Sequence, residues 1–284
     1  MSREPPQDLF TSVNGIRTRY WTAGENGSVV VLIHGISSFI ESWAHNIIPL
    51  AERHRVYAMD LLGFGQTDKI PLVHDMNVLV SFIYGFMETL HLPSASLIGN
   101  SLGGGLALQF TLDYPEKVEK LVLVDSAGMG REICPVFKAC ALPLLHGLFT
   151  RKSNNGLPRL MKQLIHNPLV ISEEFYKVSR KYNAADGAVK SLISVLTAGI
   201  NLFGQKSKVI QPLLEKMPTV KAPTLVVWGR QDQIIPVSHA EIAASRIPNA
   251  RLELFDNCGH MPQFEQPEKF NKLVLEFLEE KQVV

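Results

Sequence analysis

The sequence predicts an α/β fold, a mostly parallel, doubly wound sheet with an inserted helical cap. Three observations predict it. Short, nearly continuous apolar runs recur at Val29 to His34, Arg55 to Asp60, Ala95 to Ile98, Lys120 to Asp125 and Thr224 to Gly229. Such runs suit strands covered on both faces. Segments of helical period alternate with them, as a parallel sheet requires. Between Ser126 and about Met217 that rhythm stops. Helix-like stretches replace it, broken at Pro143, Asn154-Asn155-Gly156, Pro168, Gly199 and Gly204. Residues 1–129 and 216–284 are therefore expected to form the sheet-bearing core, and 130–215 a helical cap over its edge.

Each element has a local cause. Phe10 to Trp21 predicts an edge hairpin, because Asn14-Gly15 supplies the two positive-φ residues of a type I′ turn. Val78 to Leu90 predicts a helix, with Val78, Phe82 and Phe86 four apart. Gly99-Asn100-Ser101-Leu102-Gly103 follows the run Ala95 to Ile98 and precedes helix-like Leu102 to Tyr114. A G-x-S-x-G pattern between strand and helix is a nucleophile elbow. Its serine occupies a strained turn whose neighbours tolerate little bulk. Gly104 and Gly105 let the new helix approach the sheet. Arg251 to Phe255 predicts a strand by alternation.

Composition narrows the function classes. A chain of 284 residues with 46% hydrophobic content can bury one large core. A net charge of +1 argues against nucleic acid or an anionic membrane as partner. Three cysteines, Cys134, Cys140 and Cys258, form no disulfide framework and imply free thiols in a reducing compartment. The apolar stretch Val136 to Phe149 is interrupted by Lys138, Pro143 and His146, so it is too short to cross a bilayer. The N-terminus lacks the apolar run of a signal peptide. A cytoplasmic protein acting on a small molecule is expected, with homo-oligomerisation left open. No metal-ligand spacing is present, and no metal or cofactor is implied.

A serine hydroxyl is a weak nucleophile and needs a base, which in turn needs an orienting acid. Ser101 is the candidate nucleophile. Asp232 follows the strand-like run ending at Gly229, and His260 follows the one ending at Phe255. Both thus belong at the strand ends that share an edge with Ser101, where ligand sites of such sheets lie. Asp125 also ends a strand and competes with Asp232 for the acid role. An oxyanion hole needs two backbone donors. Leu102 supplies one, and Ile36 the other, with Ser37 the alternative to Ile36. His34 is expected to hold that loop.

Five stretches occur in family order: Val31-Leu32-Ile33-His34-Gly35, Asp60-Leu61-Leu62-Gly63-Phe64-Gly65, the elbow, Trp228-Gly229-Arg230-Gln231-Asp232, and Cys258-Gly259-His260-Met261-Pro262. With them the chain resembles the α/β-hydrolase-fold serine hydrolases along nearly its whole length. The resemblance implies a Ser101–His260–Asp232 triad. Asn100 and Arg180, with Ile171-Ser172-Glu173-Glu174-Phe175, are similar to the meta-cleavage-product hydrolases. Those enzymes split a carbon–carbon bond and set a cap arginine near the substrate carboxylate. That family has Trp directly after the catalytic His, where this chain has Met261. Ser37, Asn100, Arg180 and Met261 are thus candidates to line the substrate site. A solvated charge beside Lys177 and Lys181 is the favoured reading of Arg180. Three functions fit: a carboxylesterase of small to medium acyl esters, a carbon–carbon hydrolase of dienoates, and a receptor-like protein with slow turnover.

Overall fold

The computed structural model describes residues 6–142 and 164–280. The expected breaks at Pro143 and Asn154-Asn155-Gly156 lie outside the described residues.

The chain opens with β1 (Leu9–Val13) and β2 (Ile16–Ala23), an antiparallel pair turning at Asn14 and Gly15, whose φ angles are 51° and 82°. That is the predicted I′ geometry. Within this hairpin β1 alone lies at the sheet edge, because β2 also pairs with β4 (Arg55–Met59). From β4 onward the sheet is parallel. It runs through β3 (Val29–Ile33), β5 (Ala95–Asn100) and β6 (Val118–Val124) to β9 (Thr224–Gly229) and β10 (Arg251–Phe255). The chain leaves β3 toward β4 and returns to β5 on the opposite side. The switch point of the sheet therefore lies between the ends of β3 and β5, the place where sheets of this kind bind ligands.

The apolar strands feed two cores by simple alternation. Val29, Val31 and Ile33 pack with Leu79, Phe82, Phe86, Leu106 and Phe110. Val30 and Leu32 pack with Trp43, Ile47, Leu50, Phe270 and Phe277 on the other face. The first core is covered by α2 (Met76–Thr89) and α3 (Leu102–Asp113), the second by α1 (Ile47–Ala51) and a C-terminal helix, Pro267–Glu279. Helix α2 begins two residues earlier than the hydrophobic spacing suggests, because Asp75 Oδ1 accepts from Val78 N at 3.0 Å and caps it. Its buried face accordingly centres on Leu79, Phe82, Ile83 and Phe86, and Val78 lies at the margin.

Between β6 and β9 the described residues carry helices α4 (Pro135–Cys140), α5 (Glu173–Asn183), α6 (Ala188–Gly199) and α7 (Ser207–Lys216). One short ladder was not expected there. β7 (Ile200–Asn201) pairs with β8 (Gly204–Gln205) across a turn at Leu202 and Phe203, and Gly204, with φ of 111°, opens β8. After β9, α8 (Ser238–Arg246) leads to β10, then a single turn α9 (Pro262–Glu265) and the C-terminal helix α10 (Pro267–Glu279). Cys134, Cys140 and Cys258 are free and buried. No helix among the described residues is long and apolar enough to cross a membrane.

Candidate active site

Ser101 sits between β5 and α3 with φ 57° and ψ −119°. A non-glycine residue held there is strained by about 1–3 kcal/mol and persists only when its surroundings over-determine it. Here they do. Ser101 N donates to Val124 O at 2.9 Å, and Ser101 O accepts from the N–H groups of Gly104, Gly105 and Ala127. The flanking glycines are a matter of space. A Cβ on Gly99 would lie 2.2 Å from Gly103 O, and one on Gly103 would lie 2.2 Å from Ile33 O. The hydroxyl thus stands at the N-terminus of α3, where the helix dipole favours negative charge.

The acid and histidine loops extend the β9–β10 pairing. Arg230 N donates to Phe255 O at 3.0 Å and Gln231 N to Cys258 O at 2.9 Å. A Cβ on Gly229 would collide with Gly259 O, so only glycine lets the two loops close. This contact brings Asp232 Oδ2 to 2.7 Å from His260 Nδ1. The other carboxylate oxygen accepts from Ile234 N at 2.7 Å and Ile235 N at 3.1 Å. Both side chains are almost fully buried. His260 Nε2 is the ring nitrogen not engaged by Asp232. No hydrogen bond joins it to Ser101 Oγ in this structure, and such bonds commonly tighten only around substrate.

Asn100 ties the elbow to the histidine. Its Nδ2 donates to His260 O at 3.0 Å and to Val124 O at 3.2 Å. It faces the loops rather than open space. The loop after β3 reaches the serine as well, since a Cβ on Gly35 would sit 3.1 Å from Ser101 Cβ. The backbone N–H groups of Ile36 and Leu102 make no hydrogen bond among the described residues.

His34 holds that loop, as its position suggested. Nε2 accepts from Leu61 N at 3.0 Å and Nδ1 donates to Gly35 O at 2.7 Å. Burial drives its pKa down to about 4 from 6.5. The folded state therefore binds fewer protons than the unfolded one between those values. The stabilisation is complete above about pH 6.5 and is lost as pH falls through about 4, a span of at most about 3 kcal/mol. Urea unfolding between pH 7 and pH 4 should show wild type losing more stability than His34→Gln. Equal slopes for the two proteins would exclude His34 as the source.

Asp125 lies behind Asp232. Its Oδ1 accepts from Gly229 N at 3.0 Å, and its buried Oδ2 has no hydrogen-bond donor among the described residues. Burial, then the neighbouring Asp232 carboxylate, push the Asp125 carboxyl well above the ordinary range. A protonated Asp125 can donate to Asp232, which resolves the orphaned oxygen. Asp125, Asp232 and His260 offer ligand atoms within 4.8 Å of one another. The His260–Asp232 bond and the main-chain donors to Asp125 Oδ1 and Asp232 Oδ1 already engage most of those atoms.

Met261 joins Phe39, Phe175, Phe264, Ile165, Ile171 and Tyr182 in an apolar cluster beside His260. The ring centroids of Phe39 and Phe175 lie 5.2 Å apart and those of Phe175 and Phe264 4.8 Å apart, with the rings tilted in both pairs. Phe39 had no signal in the sequence, being an isolated aromatic in a loop. Ser37 Oγ donates to Asn183 Oδ1 on α5. Arg180 is the candidate that the structure does not bring in. α5 buries Phe175, Ser179 and Tyr182, and Arg180 falls on the opposite, exposed face, its Nε directed to Tyr176 O at 3.4 Å.

The comparisons agree with this architecture. The model of the alpha/beta hydrolase fold family matches residues 28–267. The chain is 30% identical over 272 residues to a 2-hydroxy-6-oxononadienedioate/2-hydroxy-6-oxononatrienedioate hydrolase of Burkholderia vietnamiensis, covering 93% of this chain and 91% of that protein. It is 31% identical over 269 residues to the dihydrolipoyllysine-residue acetyltransferase component of the acetoin cleaving system of Cupriavidus necator, covering 95% of this chain and 68% of the relative. A solved meta-cleavage product hydrolase from Pseudomonas fluorescens superposes with a TM-score of 0.80 at 28% identity, covering 95% of this chain and 96% of that one. Matched over most of its length, and built on the parallel sheet and elbow that define the architecture, the chain belongs to the α/β-hydrolase fold family.

Proposed function

We propose that the protein is a serine hydrolase that cleaves carboxylic esters of small to medium acyl groups through an acyl-enzyme. The 2.7 Å contact of His260 Nδ1 with Asp232 Oδ2, at the sheet edge that carries Ser101, is the observation that carries this reading. Ser101 Oγ attacks the ester carbonyl and its proton passes to His260 Nε2. Asp232 holds Nδ1–H and so fixes the tautomer. The N–H groups of Leu102 and Ile36 receive the oxyanion. His260 then protonates the leaving alcohol. A water molecule attacks the acyl-enzyme by the same route in reverse. Residues 130–215 act as the cap. Packing of Phe175 and Tyr182 on Phe39, and the bond from His260 N to Leu164 O at 2.7 Å, support that role. The apolar cluster around Met261 suits a neutral acyl chain.

Cleavage of a carbon–carbon bond in a dienoate is the second reading. The names of the relatives at about 30% identity favour it. The exposed position of Arg180 and Met261 in place of Trp favour the ester. A panel of p-nitrophenyl esters of rising chain length, run beside a dienoate ring-cleavage product, separates the two. Ester turnover without dienoate cleavage is expected. Arg180→Ala should change kcat/KM for a short ester by less than about tenfold, or about 1.4 kcal/mol. Preference for the dienoate, with a loss above about a hundredfold on Arg180→Ala, would move the assignment to carbon–carbon hydrolysis. Tight binding with barely measurable turnover of either substrate would indicate a receptor instead.

A further inference from the structure

We propose that Glu265 is a positioning residue that fixes the His260 loop and ties it to the strip Leu164–His166, which lies within the inserted segment ahead of α5. Three consecutive backbone donors, Gly259, His260 and Met261, lie in a turn outside any strand. Buried N–H groups in such a turn need acceptors from elsewhere. Glu265 Oε1 accepts from Gly259 N at 2.9 Å and from Met261 N at 3.4 Å. The donor between them, His260 N, reaches Leu164 O at 2.7 Å. Glu265 Oε2 completes the circuit by accepting from His166 N at 2.8 Å. One carboxylate therefore grips both neighbours of His260 and, with its second oxygen, the strip Leu164–His166 that holds His260 itself.

The packing leaves this arrangement little freedom. A Cβ on Gly259 would lie 2.7 Å from His166 N, 2.8 Å from Leu164 O and 2.9 Å from Glu265 Oε1. The carboxyl is half-buried, and burial raises its pKa while the backbone donors pull it back. A purely local role, closing the single turn α9, would account for the bonds to Gly259 and Met261. It does not account for His166, 99 residues away. The coupling matters because a general base must sit within hydrogen-bond reach of the proton it takes. Displacement by about 1 Å can cost about 10²-fold in rate.

The inference rests on His260 being the base, and the test separates the two. Gln in place of Glu265 keeps one oxygen for Gly259 and Met261 but turns an NH2 toward His166 N, donor against donor. Ala removes both links. Amide hydrogen exchange and steady-state kinetics would be measured on wild type, Glu265→Gln and Glu265→Ala, with a p-nitrophenyl ester as substrate. Glu265→Gln should speed exchange in peptides covering 164–167 more than in those covering 259–261, and lower kcat with KM little changed. Glu265→Ala should speed exchange in both segments and lower kcat by about 10²-fold. Should Ala fail to fold, the Gln variant alone decides. Unchanged exchange at 164–167 in Glu265→Gln would overturn the link, and faster exchange with wild-type kcat would overturn its role in positioning. If wild type takes no serine-directed phosphonate on Ser101, the hydrolase assignment fails while the exchange data still judge the clamp.

Discussion

Ser101→Ala should abolish turnover, by about 10⁶ in kcat if it behaves as comparable triads do, and leave the fold intact. The size follows from the role. Without Oγ no covalent acyl-enzyme can form, and only backbone donors and binding remain to stabilise a transition state. The fold should survive because the elbow is held by main-chain bonds, Ser101 N to Val124 O and Ser101 O to three donors, none of which uses the hydroxyl. Alanine must still adopt the φ of 57°, so a modest stability loss is expected alongside. Kinetics with a p-nitrophenyl ester and mass spectrometry after a phosphonate label check both halves. Residual kcat above about a hundredth of wild type would falsify the covalent assignment. Labelling of any residue other than Ser101, with loss of activity, would do the same.

The parts of this site that the sequence discloses are those where local geometry restricts residue type. Gly99 and Gly103 are forced by backbone contacts, so the elbow reads directly from five letters. Gly229 and Gly259 are forced in the same way, and they flank the acid and histidine loops. The strands are legible because both faces are buried, which gives continuous apolar runs. The helical boundaries were less so, as α2 shows, because an Asp75 cap outranks hydrophobic spacing in setting where a helix starts. Partners distant in the chain were the least legible. Nothing near Glu265 announces His166, and nothing near Phe39 announces Phe175. Arg180 is the residue for which the sequence itself favours a solvated charge over a substrate contact, and it is exposed. Its neighbourhood resembles a substrate-binding helix, yet its angular position beside Ser179 and Tyr182 sends it to solvent.

Asp232→Asn should cost on the order of 10⁴ in kcat, whereas Asp125→Asn should cost far less, although both carboxyls are buried within reach of one another. The difference lies in what each oxygen does. Asp232 Oδ2 accepts from His260 Nδ1, and an amide NH2 there would force the ring into the other tautomer, with its proton on Nε2. That ring cannot take a proton from Ser101. Among the described residues Asp125 accepts only from Gly229 N, through Oδ1, and its other oxygen faces Asp232. An asparagine reproduces both contacts, with its carbonyl toward Gly229 and its NH2 toward Asp232. Stability provides an independent check. A carboxyl whose folded pKa lies above its unfolded value contributes fully below the unfolded pKa and loses that contribution as pH rises through the folded one. Wild type should therefore lose stability relative to Asp125→Asn as pH rises above about 4, the ordinary aspartate value. Kinetics and urea unfolding of both variants between pH 4 and pH 8 measure these effects. If the kinetic losses came out reversed, Asp125 would be the orienting acid and Asp232 its support.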